Sequence, residues 1–211
     1  MKLIEIRPLA IPDVKVLRFG RFRDERGYFT EHFRRSDLAA LDGGVILDGG
    51  AILQANESRS RAGVVRGLHI QWEPVMGKLV RTVDGRMVDL VLDLRKGSPS
   101  LGRVIAYDMP ADPDRDWDEW IWVPVGFAHG NYFTEPSAIE YFCTSAYGPG
   151  CEAGISPLAP DLDWSLCDPA LREEFQGLPD RFGGVLLSEK DRAGLTLAAW
   201  LADPLSDRFR Y

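Results

Sequence analysis

The sequence predicts a mainly β protein, folded as a sandwich or barrel, on three observations. Short apolar or alternating runs recur at close spacing. Glycine (21) and proline (14) are frequent enough to supply many turns. Helical signals are few, and most lie near the C-terminus.

The elements follow in order. The opening MKLIEIRPLAIPDVKVL is interrupted by Glu5, Arg7, Pro8, Pro12 and Asp13. It therefore lacks the apolar core of a signal peptide. Ser36-Asp37 is placed to start a short helix that ends at Gly43-Gly44. The stretch 54–71, QANESRSRAGVVRGLHIQ, sets Gln54, Asn56, Ser58 and Ser60 at alternate positions. On a strand these side chains share one face, a poor core but a good lining for a wet pocket. Lys78–Val83 and Met87–Leu94 flank Asp84-Gly85-Arg86, which reads as a hairpin turn. In the second run Val88, Leu90, Leu92 and Leu94 make one face fully apolar, opposite Asp89, Val91 and Asp93. Trp120–Val123 and Ala138–Cys143 read as further strands, with Pro124-Val125-Gly126 punctuating the first.

Asp168 as N-cap and Pro169 at the first position start a helix that should stop at Gly177. Ser188-Glu189-Lys190-Asp191 has the form of a capping box ahead of Leu195–Leu201. Residues 1–211 therefore read as a single domain with a helical C-terminal appendage from about 165.

A net charge of −7 argues against a protein that tracks nucleic-acid phosphates. Any anionic ligand must be held by a few converging Arg and Lys side chains. No run is long and apolar enough to span a bilayer. Cys143, Cys151 and Cys167 are odd in number and lack CxxC spacing, which points to a reducing, cytoplasmic compartment.

Among the three histidines, His69 and His129 follow Gly-containing turns rather than an apolar stripe. Each reads either as a hydrogen-bonded structural residue or as a proton carrier. A metal-binding β-barrel hairpin would carry His-x-His, but the position two after His69 is Gln71. The histidines thus make a weak metal set, and no metal is expected. Lys78 opens an apolar strand, the usual place of a solvated strand end. Tyr141 and Tyr147 fit either core packing with a wet hydroxyl or a ligand contact. The glycines match no nucleotide fingerprint.

Taken together, six ordered segments resemble the dTDP-4-dehydrorhamnose 3,5-epimerase family. They are DERGYFTEHF (24–33), QANESRSRAGVVRGLHIQ (54–71), KLVRTVDGRMVDLVLDLRKGSPSLG (78–102), VPVGFAHG (123–130), YFCTSAYGPGCEAGI (141–155) and LSEKD (187–191). The resemblance implies a cupin-like β-barrel (jelly roll) that forms a homodimer by exchanging N-terminal strands. It implies a nucleotide-sugar substrate and no metal or organic cofactor. It also implies roles for single residues. His69 resembles the general base, Tyr141 the acid on the opposite face of the sugar, and Asp191 the partner that orients His69. Lys78 and His129 resemble pocket residues near the sugar and its keto oxygen. Arg66, Glu152 and Lys190 resemble further ligand contacts. Arg26, Glu31, Gln54 and Asn56 resemble nucleotide contacts, some given across the dimer, and Tyr147 resembles a residue that stacks on the ligand.

Two positions depart from the family pattern: Val125 stands where Glu is usual, and Asn131 where an aromatic is usual. Extra residues sit between Trp164 and Leu187. The leading expectation is an epimerase that inverts C3, C5 or both of a nucleotide-linked 4-keto-6-deoxysugar, most simply dTDP-4-keto-6-deoxyglucose. The alternatives are a single-position epimerase on another such sugar and a catalytically silent sugar-nucleotide-binding cupin. The residue chemistry fits the first. Inverting a carbon beside a ketone needs a base, an acid opposite it, and a cation at the enolate oxygen.

Overall fold

The computed structural model describes residues 3–32, 34 and 52–211. The helix expected from Ser36-Asp37 to Gly43-Gly44 lies outside the described residues. Two antiparallel sheets face each other. One has the strand order β1 (Leu3–Pro8), β2 (Lys15–Gly20), β10 (Trp117–Val123), β7 (Lys78–Asp84), β12 (Ser137–Cys143) and β5 (Gln54–Ser60). The other runs β13 (Glu152–Ile155), β6 (Val65–Gln71), β11 (Phe127–Tyr132), β8 (Arg86–Asp93) and β9 (Val104–Pro110). A separate hairpin pairs β3 (Phe22–Asp24) with β4 (Gly27–Phe29).

Between the sheets lies a core of Val80, Ile121, Val123 and Ile139 from the first and Met87, Val91, Ile105, Phe127 and Phe133 from the second or its ends. It fills one part of the interior and leaves the rest to polar residues. The apolar face of β8 does not look inward. Val88, Leu90, Leu92 and Leu94 pack instead against C-terminal residues, among them Phe175, Leu178, Trp200 and Phe209. Asp89 and Asp93 are consequently the residues turned to the interior side, and both are fully buried. Burying each large apolar side chain is worth about 1.5–3 kcal/mol, so this outer layer holds the C-terminal segment firmly to the sheet.

The Asp84-Gly85-Arg86 turn does not make a hairpin. β7 pairs with β10 and β12, whereas β8 pairs with β11 and β9. Both edges of each strand are taken, and the chain crosses from one sheet to the other at Gly85. There φ is +75°. A Cβ at Gly85 would also lie 2.5 Å from the Pro136 carbonyl oxygen, so only glycine turns this corner without strain.

The C-terminal helices also differ from expectation. Helix α1 spans Pro169–Phe182, capped by the Asp168 side chain accepting from Ala170 N–H. It runs through Gly177 and stops at Gly183, whose φ is +68°. Gly177 faces open space and costs the helix little more than propensity. The capping box at Ser188 starts only a short helix, α2 (Glu189–Arg192), and a second cap at Thr196 starts α3 (Leu197–Ala202). Between them Gly194 sits so close to Ser156 N that a Cβ would approach to 2.7 Å. A short 3-10 turn, Pro204–Arg208, follows.

Candidate active site

The stretch singled out in the sequence lines a cleft as its spacing predicts. On β5, Gln54, Asn56 and Ser58 are half-buried and Ser60 is buried, while Ala55, Glu57 and Arg59 are exposed. Opposite, β6 carries Arg66 and His69, three residues apart. A regular strand would send them to opposite faces. The pairing of β6 with β11 shows why both reach the cleft: His69 opposes His129, but Arg66 opposes Asn131. Three steps on β6 match two on β11, which is a β-bulge at Gly67-Leu68. Both glycines beside it are required by close approach. A Cβ on Gly67 would lie 2.7 Å from Asp191 Oδ1, and one on Gly130 would lie 2.6 Å from the Arg66 carbonyl oxygen.

His69 Nε2 lies 2.6 Å from Asp191 Oδ1. The Asp191 side chain is buried and His69 half-exposed, so the pair presents the imidazole to the cleft from a fixed base. Burial raises the Asp191 carboxyl, but the bond and charge of His69, Gly67 N–H and Ser188 outweigh it and bring it down to about 2. A second pair lies deeper. His129 Nε2 is 2.7 Å from Asp89 Oδ2, and both residues are buried. Burial pushes the Asp89 carboxyl up, against the pull of His129 and Lys78.

Tyr141 enters from the other sheet. It is opposite Asn56 on one side and Val80 on the other. Burial, then the nearby Cys143, push its phenol above the ordinary tyrosine range, with Arg66 opposing. Tyr141 therefore holds its proton at neutral pH. Lys78 pairs across the strands with Cys143 and is no solvated strand end. Burial lowers its ammonium below the ordinary lysine range, against Cys143, Asp89 and Glu152.

His69, Lys78 and Tyr141 line two adjoining cavities. One, of about 300 Å³, adds Ser58, Arg66, His129, Asn131, Lys190 and Asp191. The other, of about 220 Å³, adds Gln54, Asn56, Gln71, Tyr147 and Glu152. The Lys190 ammonium bonds Glu152 Oε1, which also accepts from the Tyr147 hydroxyl at 2.7 Å. That bridge ties the two cavities at the rim. Gln71, in the place of a second metal-binding histidine, holds the Tyr147 loop. Its amide donates to the carbonyls of Pro74 and Ala146 and its oxygen accepts from Gly148 N–H at 2.9 Å. Gln54 accepts from Tyr147 N–H at 2.8 Å. Among the described residues no three His, Cys, Asp or Glu side chains converge as a metal ion would require.

Eleven of the thirteen residues singled out in the sequence thus line this cleft. Arg26 and Glu31 do not. Arg26 sits on the exposed β3–β4 hairpin, paired with Asp24, and Glu31 bonds Arg34. Of the two departures, Asn131 lines the cleft and Val125 lies outside it, exposed. Asp89 was missed by sequence reasoning. The signal was its place on the polar side of the apolar strand 87–94, which reads as a solvent face until the apolar side is known to be covered by helices. The third histidine, His32, lies elsewhere, 2.6 Å from Asp118.

The chain is similar to known proteins in sequence and in fold. The family model described as dTDP-4-dehydrorhamnose 3,5-epimerase matches residues 8–199. A dTDP-4-dehydrorhamnose 3,5-epimerase of Pseudomonas aeruginosa is 36% identical over 193 residues, covering 90% of this chain and 94% of that protein. A solved structure of dTDP-6-deoxy-D-glucose-3,5-epimerase from Legionella pneumophila, in complex with dTDP-4-keto-L-rhamnose, superposes with a TM-score of 0.79 at 32% identity, covering 98% of each chain. A 3'-monoepimerase from Streptomyces bikiniensis in complex with dTDP-quinovose superposes with a TM-score of 0.74 at 28% identity, covering 92% of this chain and 89% of that one.

Proposed function

The chain belongs to the dTDP-4-dehydrorhamnose 3,5-epimerase family, with its cupin-like jelly roll, and from that premise we propose that it epimerises a nucleotide-linked 4-keto-6-deoxysugar, most simply dTDP-4-keto-6-deoxyglucose. It is an isomerase. The observation that carries the reading is the opposition of His69 and Tyr141. They stand on different sheets and line the same two cavities, with Lys78 between the same walls.

The steps follow from that placement. Asp191 holds His69 by Nε2, so the proton of the neutral ring stays there and Nδ1 is left as the base. The base takes the proton from the carbon beside the ketone. The C–H electron pair becomes the enolate, and the Lys78 ammonium steadies its oxygen. Tyr141, protonated at neutral pH, returns a proton to the same carbon from the other face and recovers its own from solvent, while His69 gives up to solvent the proton it took. The ketone is restored and one centre is inverted. Repetition at the carbon on the other side of the ketone inverts the second. Arg66 suits the diphosphate through paired N–H donors. These steps move protons only and so call on no redox cofactor.

A homodimer goes with this reading. Arg26 and Glu31 reach the nucleotide in the cleft of a partner subunit, and the exposed Phe22, Tyr28 and Phe29 on the hairpin that carries Arg26 support such a contact. Residues 1–211 make one cupin-like domain, with the residues from about 165 as its appendage. A cytoplasmic place of action fits the three free thiols. Among the described residues no helix is long and apolar enough to cross a membrane.

The test is incubation with dTDP-4-keto-6-deoxyglucose in D₂O, followed by NMR. Deuterium at C3 and C5 with L-configured product supports the double epimerase. Deuterium at C3 or C5 alone selects the second reading, a single-position epimerase, which the likeness to a 3'-monoepimerase favours. No deuterium at either carbon rejects both for this sugar.

A further inference from the structure

The larger cavity holds polar groups that the proton transfers leave unused. Asn131 is 3% exposed, lines the cavity, and has a side-chain oxygen with no hydrogen-bond partner among the described residues. The Ser58 hydroxyl, on the facing sheet, is buried and unpartnered in the same way. A buried amide left unpaired costs about 1–3 kcal/mol. Such a group in a cavity wall is matched by a ligand or it is a standing penalty.

Its place fixes what that ligand group is. On β11, Asn131 is two residues beyond His129, and on the neighbouring strand it opposes Arg66. It therefore stands level with the arginine assigned to the diphosphate and is the next side chain on the same face of β11 from His129, so it neighbours both. In a hexose with its diphosphate at C1 and its ketone at C4, the carbon between C1 and the reacting C3 is C2. The ring oxygen also adjoins C1, but it only accepts hydrogen bonds. A hydroxyl both donates and accepts, so of these two neighbours of C1 only the C2 hydroxyl can donate to the Asn131 oxygen, and it also suits a flipped amide.

We infer that Asn131 is a specificity-determining residue that binds the C2 hydroxyl of the sugar, so that this chain selects 2-hydroxy over 2-deoxy 4-keto sugars. The inference rests on the epimerase reading and deepens it. The C2 hydroxyl takes no part in the proton transfers and keeps its configuration throughout. Its role is to hold the ring while the carbon beside it is inverted.

The experiment compares dTDP-4-keto-6-deoxyglucose with its 2-deoxy counterpart, dTDP-4-keto-2,6-dideoxyglucose, for the wild type and for Asn131→Leu. The readout is kcat/KM for deuterium entry beside the ketone. Losing C2–O changes the intrinsic acidity of the sugar equally for both enzymes, so the ratio of ratios isolates the contact. The wild-type preference for the 2-hydroxy sugar should exceed that of the variant by about tenfold or more. Equal preference in the two enzymes overturns the assignment. Should leucine there prevent folding, Asn131→Ala supplies the same comparison. A wild type that uses both sugars equally overturns the assignment without any variant. If neither sugar exchanges, the epimerase reading falls, and this inference with it.

Discussion

Replacing Asp191 with asparagine removes a charge while keeping the shape. The His69–Asp191 bond is 2.6 Å long and the Asp191 side chain is 7% exposed, so solvent screens it little. The fold takes that carboxyl from 3.8 down to about 2. At 1.36 kcal/mol per pH unit, this makes the ionised Asp191 worth roughly 2 kcal/mol to the folded state. The sign is that of a lowered acid. The stabilisation is complete above about pH 4 and fades as pH falls towards 2. Asp191→Asn should therefore lose about 2 kcal/mol in urea unfolding at pH 7, and the gap to the wild type should narrow in acid. Activity suffers more than stability. An asparagine amide that donates to Nε2 moves the ring proton to Nδ1, where the base is needed. A reoriented or mis-tautomerised histidine costs on the order of 10²–10⁴ in rate. The assay is kcat for deuterium entry at C3 and C5. A variant within about threefold of the wild-type rate, or an unfolding gap that stays constant from pH 7 to pH 2, refutes the reasoning.

Three further outcomes are expected. His69→Ala should fold, by its melting curve, and lose C–H exchange by about 10²-fold or more; retention of about a tenth of the wild-type rate removes His69 as the base. Gly67→Ala should displace Asp191, because its Cβ would meet Oδ1 at 2.7 Å; its rate should drop towards that of Asp191→Asn, and an unchanged rate shows that the contact relaxes freely. Activity should survive exhaustive chelation, and a stoichiometric metal whose removal abolishes turnover and whose return restores it contradicts the account.

Local pattern carried much of this protein and failed at identifiable places. The inward face of β5 was legible because alternation of Gln54, Asn56 and Ser58 with exposed residues is a property of the strand itself. The contributions of Arg66 and His69 were legible only as a pair of chemically apt residues. The bulge that turns both to one side depends on pairing with β11, which no local pattern records. The Asp-Gly turn misled for the same reason. Its chemistry favours a hairpin, but β10, β12, β11 and β9 already hold both edges of the flanking strands, so tertiary pairing decides. Gly177 misled because a glycine inside a helix costs only about 1 kcal/mol, which the packing of Phe175 and Leu178 outweighs. The buried Asp89–His129 pair needed the knowledge that the apolar side of β8 faces outward, a fact set by the C-terminal segment far along the chain.

The central claim is that two side chains on facing sheets serve the two faces of one sugar carbon. Tyr141→Phe tests it most directly, because it removes one hydroxyl with little change in ring volume. Deuterium incorporation and product stereochemistry are followed on the same sample of dTDP-4-keto-6-deoxyglucose in D₂O. His69 is intact and can return to its own face what it took, so exchange should persist. Inversion should be lost, since nothing donates from the other side. Inverted product at the wild-type rate contradicts the claim, as does an equal loss of exchange and inversion.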